Sequence, residues 1–426
     1  MRKLLYIIPL LLAFAFTGNP PGWYEQTLPV NDFVNDIFFT DTLTGWVVTQ
    51  GHTNNQDTAY ILKTTNGGDN WTVQYARNMN MTAVQFTDHQ TGYVGGASGT
   101  GTIYVLKTTN GGDNWIQIMG TTAGTQADDM FFLNSDTGWI CDSPNLIGFG
   151  LIKTTNGGLN WFQQLDNSYR PLRVHFINAD TGWMGTNEAN GRLYRTTNGG
   201  SNWNLLYTSN TSVSTLFFLN GLNGWIRGGT TNGLIYTLNG GINWINCQGE
   251  NAPFNVKFVN DSIGYAGGGN QPLRIAKSTN GGKLWGYQSA QATPDISVAV
   301  LSNDTNNVWA GKQVLIHTSD GGGAIIYTDI QQIGTQLPAD FKLYQNYPNP
   351  FNPETTIEFE LKKTSDISLQ IYDISGRTIG GVGFTNKSPG RYKYIYKAEN
   401  LTTGIYFFRL IASGVIIDTK KMILVK

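Results

Sequence analysis

Two cysteines, Cys141 and Cys247, are the whole supply of this 426-residue chain, too few for a disulfide framework. Free, buried thiols are expected, with a single disulfide as the alternative. Its four histidines (His52, His89, His175, His317) stand far apart and show no metal-ligand spacing. No metal and no cofactor is therefore expected. Charge is scarce as well, with 13% charged residues and a net charge of −1. Such a chain has no overall basic field, so nucleic acid is not an expected partner. Long apolar runs are limited to one, Leu4–Phe16, which follows Arg2 and Lys3 and precedes Thr17, Gly18 and Pro20-Pro21. That order reads as a secretory signal peptide over residues 1–18. The run is too short for a bilayer span, so no membrane span is expected in the mature chain. No cysteine follows the run to carry a lipid anchor.

Glycine is abundant, at 52 residues, and aromatics reach 12%. Many turns, many aromatics and few charges suit an all-β protein. The length is too great for one ordinary domain.

A nonamer, KTTNGGDNW at Lys63–Trp71, recurs with variation and ends in Trp71, Trp115, Trp161, Trp203, Trp244 and Trp285. The steps between these tryptophans are 44, 46, 42, 41 and 41 residues. A truncated seventh copy, HTSDGGG, runs from His317 to Gly323. A second motif alternates with the first: an apolar strand, a polar turn, then Gly-aromatic, as in FFTDTLTGW (Phe38–Trp46). It too occurs seven times, the last copy degenerate. Each unit of just over 40 residues reads as four short strands. In the first unit they are Asn35–Phe39, Trp46–Gln50, Ala59–Thr64 and Trp71–Tyr75. Four-stranded units at this period predict a seven-bladed β-propeller. The seventh unit has Ile325 where its tryptophan should stand, and GWYEQTLP (Gly22–Pro29) resembles an unattached outer strand. Trp23 and its strand are expected to close the ring.

The nonamer resembles the Asp-box, or bacterial neuraminidase repeat, S/T-x-D-x-G-x-x-W. It appears here as Thr64-x-Asn66-x-Gly68-x-x-Trp71, with Asn in place of Asp; only the seventh copy keeps the acid, Asp320. Over Trp23–Thr328 the arrangement resembles propellers of the photosystem II assembly and stability factor family and of sialidase-like proteins. The motif speaks for fold rather than activity. Its asparagine is expected to bond N–H groups two residues on, its glycines to supply positive φ, and its tryptophan to fill the space between blades. Asp69 and Asp113 become Leu159, Ser201, Ile242 and Lys283 in other copies, so a calcium site built on that acid would fail. A phosphate loop would need Gly-Lys-Ser/Thr opening a helix.

Function is sought on the opposite face. The loops between strands two and three differ among repeats, and loops on a rigid scaffold are the usual place for binding. Candidate binding residues there are Asp36, Asp129, Asp142, Tyr169, Arg170, Arg173, Glu188, Arg227 and Arg274. Asp36, Asp129, Arg173 and Asn255 share one position at the start of the innermost strand and are expected to ring the channel mouth. The repeats use all twelve tryptophans, so glycan stacking would rest on Phe149 or Tyr169. No paired carboxylates are marked for glycoside hydrolysis. A sialidase would need three arginines, a tyrosine nucleophile and an Arg-Ile-Pro signature, which Tyr169-Arg170-Pro171 is not. The expected role is a binding propeller without catalysis, for an unknown protein or glycan. An extracellular glycosidase or sialidase-like enzyme is the alternative.

Past Thr328 the repeats stop. Asp329–Asp340 reads as a linker. Residues 341–426 carry 12 Lys/Arg against 7 Asp/Glu and alternate like a small immunoglobulin-like β-sandwich. The segment contains Tyr347-Pro348-Asn349-Pro350-Phe351-Asn352-Pro353. Further on come Gly376-Arg377, Gly404 with Tyr406, and Lys420-Lys421 in the ending KKMILVK. With these strings it resembles a type IX secretion C-terminal sorting domain of type A. The resemblance implies a Bacteroidetes/Chlorobi-type envelope. It also implies handling by the type IX machinery and a sorting protease, and a product that is secreted or held on the outer surface. A plain immunoglobulin-like adhesion module is the alternative for this domain.

Overall fold

The computed structural model describes residues 22–51, 58–98, 101–121, 127–142, 149–228, 233–249, 255–268, 275–288, 297–301, 304–323, 325, 331–398 and 401–426. The signal-peptide segment lies outside them. Seven sheets of four or five strands form the propeller, and two four-stranded sheets follow. Apart from a single 3-10 turn, Asn167–Tyr169, the described residues contain no helix. The first blade is typical: Val34–Phe39, Gly45–Thr49, Ala59–Thr64 and Thr72–Arg77, all antiparallel. The sixth blade adds Gln248–Gly249, which runs parallel to Leu284–Trp285.

The ring closes with chain from both ends. Tyr24–Gln26 pairs with Leu315–Thr318 of the last blade. Trp23 is buried against Tyr265, Val308 and Ile316. The one acidic copy of the turn sits at this seam: Asp320 Oδ2 accepts the Gly22 N–H at 2.9 Å. Gln26 donates to the Gly67 carbonyl of blade one at 2.8 Å, so the closing strand touches both its neighbours.

The blades are held together by one repeated stack. The last residue of each innermost strand is a phenylalanine in blades one to six. Its ring lies over a glycine of its own blade; a Cβ on Gly45 would come within 2.4 Å of Phe39. The other face of the ring stacks on the strand-two aromatic of the preceding blade. Phe39 on Trp309, Phe86 on Trp46 and Phe132 on Tyr93 have centroids 3.6, 3.5 and 3.5 Å apart. Phe176 on Trp139, Phe218 on Trp183 and Phe258 on Trp225 repeat this at 3.6 Å. This explains why the second motif reads Phe, then a turn, then Gly-Trp: a side chain on the glycine would displace the ring.

The turn tryptophan lies between blades as expected, Trp71 clustering with Trp309 and Leu315 of the preceding blade, but it takes a different part in the seam from the stacked aromatic. It meets the phenylalanine of its own blade edge-on, as Trp71 meets Phe39 at 6.0 Å and 89°. Trp71, Trp115 and Trp285 are buried, whereas Trp161, Trp203 and Trp244 are only half-buried. The strand-two aromatics, stacked face to face across the seam, are the more deeply buried class.

Inside the turn the hydrogen bonds differ from expectation. Thr64 Oγ1 accepts the Gly68 N–H at 2.9 Å, and Asn66 Oδ1 accepts the Asn70 N–H at 2.9 Å. Because the threonine hydroxyl takes the glycine N–H, the asparagine reaches four residues on rather than two. The two-residue bond exists at Asp320, whose Oδ1 accepts from Gly322 at 3.0 Å. Gly67 and Gly68 have φ of 74° and 99°, the left-handed region that glycine tolerates. The Gly67 N–H reaches the Leu43 carbonyl at 2.8 Å and ties the turn to the one beside it.

The C-terminal domain packs two sheets around one core that includes Phe351, Ile357, Phe359, Leu369, Phe408 and Met422. The expected linker is partly a strand of this domain: Gln331–Gly334 pairs with Gly390–Lys397. Its polar sequence, QQIG, suits an edge strand with one wet face. Thr378–Lys387 is a further strand, rich in glycine and thus hard to read from sequence. The Pro-rich segment is tied to the end of the chain. Phe351 N–H donates to the Ile423 carbonyl at 2.9 Å, and Asn349 Oδ1 accepts the Ile423 N–H at 2.9 Å. Tyr347 is exposed, as are Asn352 and Pro353. Asp373 holds the Gly376-Arg377 turn through the Arg377 guanidinium at 3.0 Å. Tyr406 donates to the Thr402 carbonyl at 2.7 Å.

Trp183 is fully buried and Trp244 is not, so their truncation should differ. Trp183→Ala is expected to cost about 3–5 kcal/mol and Trp244→Ala clearly less. Denaturant midpoints of the two variants measured side by side check the order; equal losses would contradict the inter-blade stack as the main clamp.

Candidate functional site

The innermost strands converge on a central channel that forms a cavity of about 870 Å³. Neighbouring blades do not continue one sheet, so main-chain groups facing the axis need partners. Polar side chains supply them, each bonding forward to the next blade. Asp36 Oδ2 accepts the Val84 N–H at 2.9 Å, and Asp129 Oδ2 accepts the Val174 N–H at 2.9 Å. The Gln85 amide brackets Phe132, donating to its carbonyl at 2.8 Å and accepting its N–H at 2.7 Å. Arg173 Nε donates to the Ser214 carbonyl at 3.0 Å, and His175 Nε2 donates to the Phe218 carbonyl at 2.8 Å.

Burial sets the electrostatics of this wall. It pushes Asp36 up to about 6 and raises Asp129, partly offset by the N–H bonds, by Arg173 beside Asp129 and by Lys257 near both. Burial, helped by the charge of Lys257, holds His175 down at about 4, so it is neutral near pH 7.

Asp36, Asp129, Arg173 and Asn255 all line the channel. The first three are nevertheless turned into the wall, where their polar atoms serve neighbouring main chain. Asp142 is fully buried at the end of its strand, and its Oδ2 accepts the Phe149 N–H at 3.2 Å. It anchors a loop instead of presenting a ligand contact. Tyr169 packs edge-on against Tyr194 at 5.5 Å, and Phe149 packs partly buried beside Trp161 in the cluster around Ile140. Neither stands free as a stacking platform. Arg170 is exposed with φ of 45°. Glu188 lies 3.5 Å from Arg192. Arg227 is half-buried, which lowers its pKa. Arg274 lies outside the described residues, as do large parts of the strand-two-to-three loops. The structure thus brings Asp36, Asp129, Arg173 and Asn255 together in the channel, and leaves Asp142, Arg170, Glu188 and Arg227 outside its lining.

Sequence reasoning passed over the residue just before each stacking phenylalanine. Those positions face the channel: Phe38, Gln85, Phe131, His175, Phe217 and Lys257. A signal existed, since this is the strand position where aligned repeats disagree in chemistry. Lys257 between Val256 and Phe258 is its plainest instance. Both cysteines are free thiols, and burial raises both, Cys247 to about 12. Among the described residues no group of three or more His, Cys, Asp or Glu is placed to hold a metal ion.

Comparison with known proteins follows the two halves. Residues 345–426 match the secretion system C-terminal sorting domain. Residues 73–217 match the family of the photosynthesis system II assembly factor YCF48. No curated protein matches the chain. Among solved structures, YCF48 bound to D1 peptide is 16% identical with a TM-score of 0.56, covering 70% of this chain and 97% of its own. The WD40 propeller domain of Doa1 is 12% identical with a TM-score of 0.51, covering 70% and 98%. The Niastella koreensis GH74 enzyme is 11% identical with a TM-score of 0.42, covering 91% and 83%, too loose a likeness to bear on chemistry. The likenesses to YCF48 and to the Doa1 domain establish the propeller fold.

The raised pKa of Asp36 has a definite sign. The folded state holds the proton more tightly than the unfolded chain, whose value is near 3.8. Its contribution to stability is therefore greatest at low pH and falls as pH rises through about 6. Asp36→Asn keeps an oxygen for the Val84 N–H without a buried charge. The variant should gain on the wild type as pH rises from about 4 to about 7, then level off. Thermal unfolding across that range tests this, and a constant difference would count against it.

Proposed function

We propose that the chain is an extracytoplasmic binding propeller without catalysis, exported by a type IX system through its C-terminal domain. The match of residues 345–426 to a sorting domain carries the export reading. The apolar run at Leu4–Phe16 supports passage of the inner membrane first, with residues 1–18 removed. The product is released or held at the outer surface. The sorting domain directs it past the periplasm, away from the assembly role that the YCF48 resemblance alone would suggest.

The ligand is most simply a protein segment. A propeller of this fold, YCF48, has been solved with a bound peptide. The engagement of the carboxylates described on the candidate face also supports a non-catalytic reading. Asp36, Asp129 and Asp142 give carboxylate oxygens to main-chain N–H groups, and Glu188 faces Arg192. A glycosidase needs two carboxylates free to act on one bond.

Two measurements test these claims. Because Gln331–Gly334 belongs to the second domain, the clean truncation removes residues 331–426. That truncation should strand a folded propeller in the periplasm; unchanged surface display would refute export through this domain. The purified chain should leave a panel of aryl glycosides and polysaccharides intact. Hydrolysis abolished by changing a single loop carboxylate would overturn the non-catalytic reading.

A further inference from the structure

Over blades one to six the channel alternates in chemistry. Blades one, three and five present Phe38, Phe131 and Phe217, and blades two, four and six present Gln85, His175 and Lys257. The Phe131 and His175 rings are 5.1 Å apart, His175 and Phe217 are 5.3 Å apart, and the Lys257 ammonium stands 5.8 Å from the Phe217 centroid. This makes a continuous wall of aromatic, imidazole, aromatic and ammonium groups.

Lys257 is the odd member. Asp36, Asp129, Arg173, Gln85 and His175 each bond forward to the main chain of the next blade. Among the described residues Lys257 has neither a hydrogen-bond acceptor nor a carboxylate within ion-pair distance. Its neighbour His175 donates through Nε2, which leaves Nδ1 unprotonated and the ring neutral. Asp36 and Asp129 lie two residues earlier on their strands, about 7 Å away along the channel. Their engaged oxygens face the wall. The tier holding Phe217 and Lys257 therefore carries one positive charge with its donors unspent, beside the Phe217 ring and within the field of the Asp36 and Asp129 carboxylates.

We propose that this tier is a binding site for a small monocarboxylate with a planar apolar body. The carboxylate would lie against the Lys257 ammonium in a charge-assisted hydrogen bond. The planar body would lie among Phe38, Phe131 and Phe217. A cavity of about 870 Å³ is in the size range of small-molecule sites. The site is independent of the loop face and of what that face binds.

The test uses the full chain and two probes of equal shape, 4-fluorobenzoate and its neutral isostere 4-fluorobenzamide, followed by fluorine NMR. The benzoate should bind saturably and about tenfold or more tighter than the benzamide. Lys257→Gln should abolish that preference, while Lys257→Arg should keep it. Equal affinity for both probes, no saturable benzoate binding, or a preference that survives Lys257→Gln would each overturn the proposal. Should Lys257→Gln fail to fold, the ratio between probes on the unaltered chain decides the matter alone.

Discussion

A phenylalanine ring pressed between a glycine of its own blade and an indole or phenol of the blade before it sets the geometry of the propeller. The stack sets aromatic ring centroids of adjacent blades about 3.5 Å apart and requires glycine on one side. It also requires a flat partner on the other side. Blade seven lacks the phenylalanine and has Val300 in its place, paired with Val308 where the other blades have glycine. There the seam is strengthened by other means: Trp23, Asp320 and Gln26 all belong to contacts between the first strand and the blades on either side. The ring thus closes where its repeat is weakest, using chain from the opposite end.

The axis of a propeller poses a second constraint. Strands belonging to different sheets meet there without a shared ladder, and buried main-chain groups left unpaired are costly. Asp36, Gln85, Asp129, Arg173 and His175 answer that need. Placing carboxylates there raises their pKa, and placing an imidazole there lowers its own. A residue that looks like a ligand contact because it is charged and sits at a channel mouth is then a staple between blades. Lys257 is distinguished by not being one.

Most of the architecture was legible in the sequence because a repeat is its own control. The recurring nonamer and the recurring Gly-aromatic gave seven units and four strands in each, and the missing tryptophan near Ile325 pointed to Trp23. The observed strands of blade one lie within two residues of the expected ones. The division of labour among the tryptophans was not legible. Both classes are aromatic residues beside glycine, and only packing shows that Trp46 stacks across a seam while Trp71 meets its own blade edge-on. The strand at Gln331–Gly334 was missed for a related reason: a short polar edge strand has no apolar alternation to announce it.

The candidate site was less legible. Register alone put Asp36, Asp129, Arg173 and Asn255 in the channel, because equivalent positions of a repeat must share a place in the ring. Which atoms those side chains satisfy depends on the next blade, some 45 residues away in the chain, and sequence carries no record of that pairing. The sequence by itself determined the periodicity, the blade count, the closing strand and the sorting-domain resemblance of the last 86 residues, since each is a local pattern repeated or matched along the chain. Only the tertiary structure decided which charged groups are spent and which is not, because hydrogen bonding between blades and burial at the axis exist only once the ring is closed.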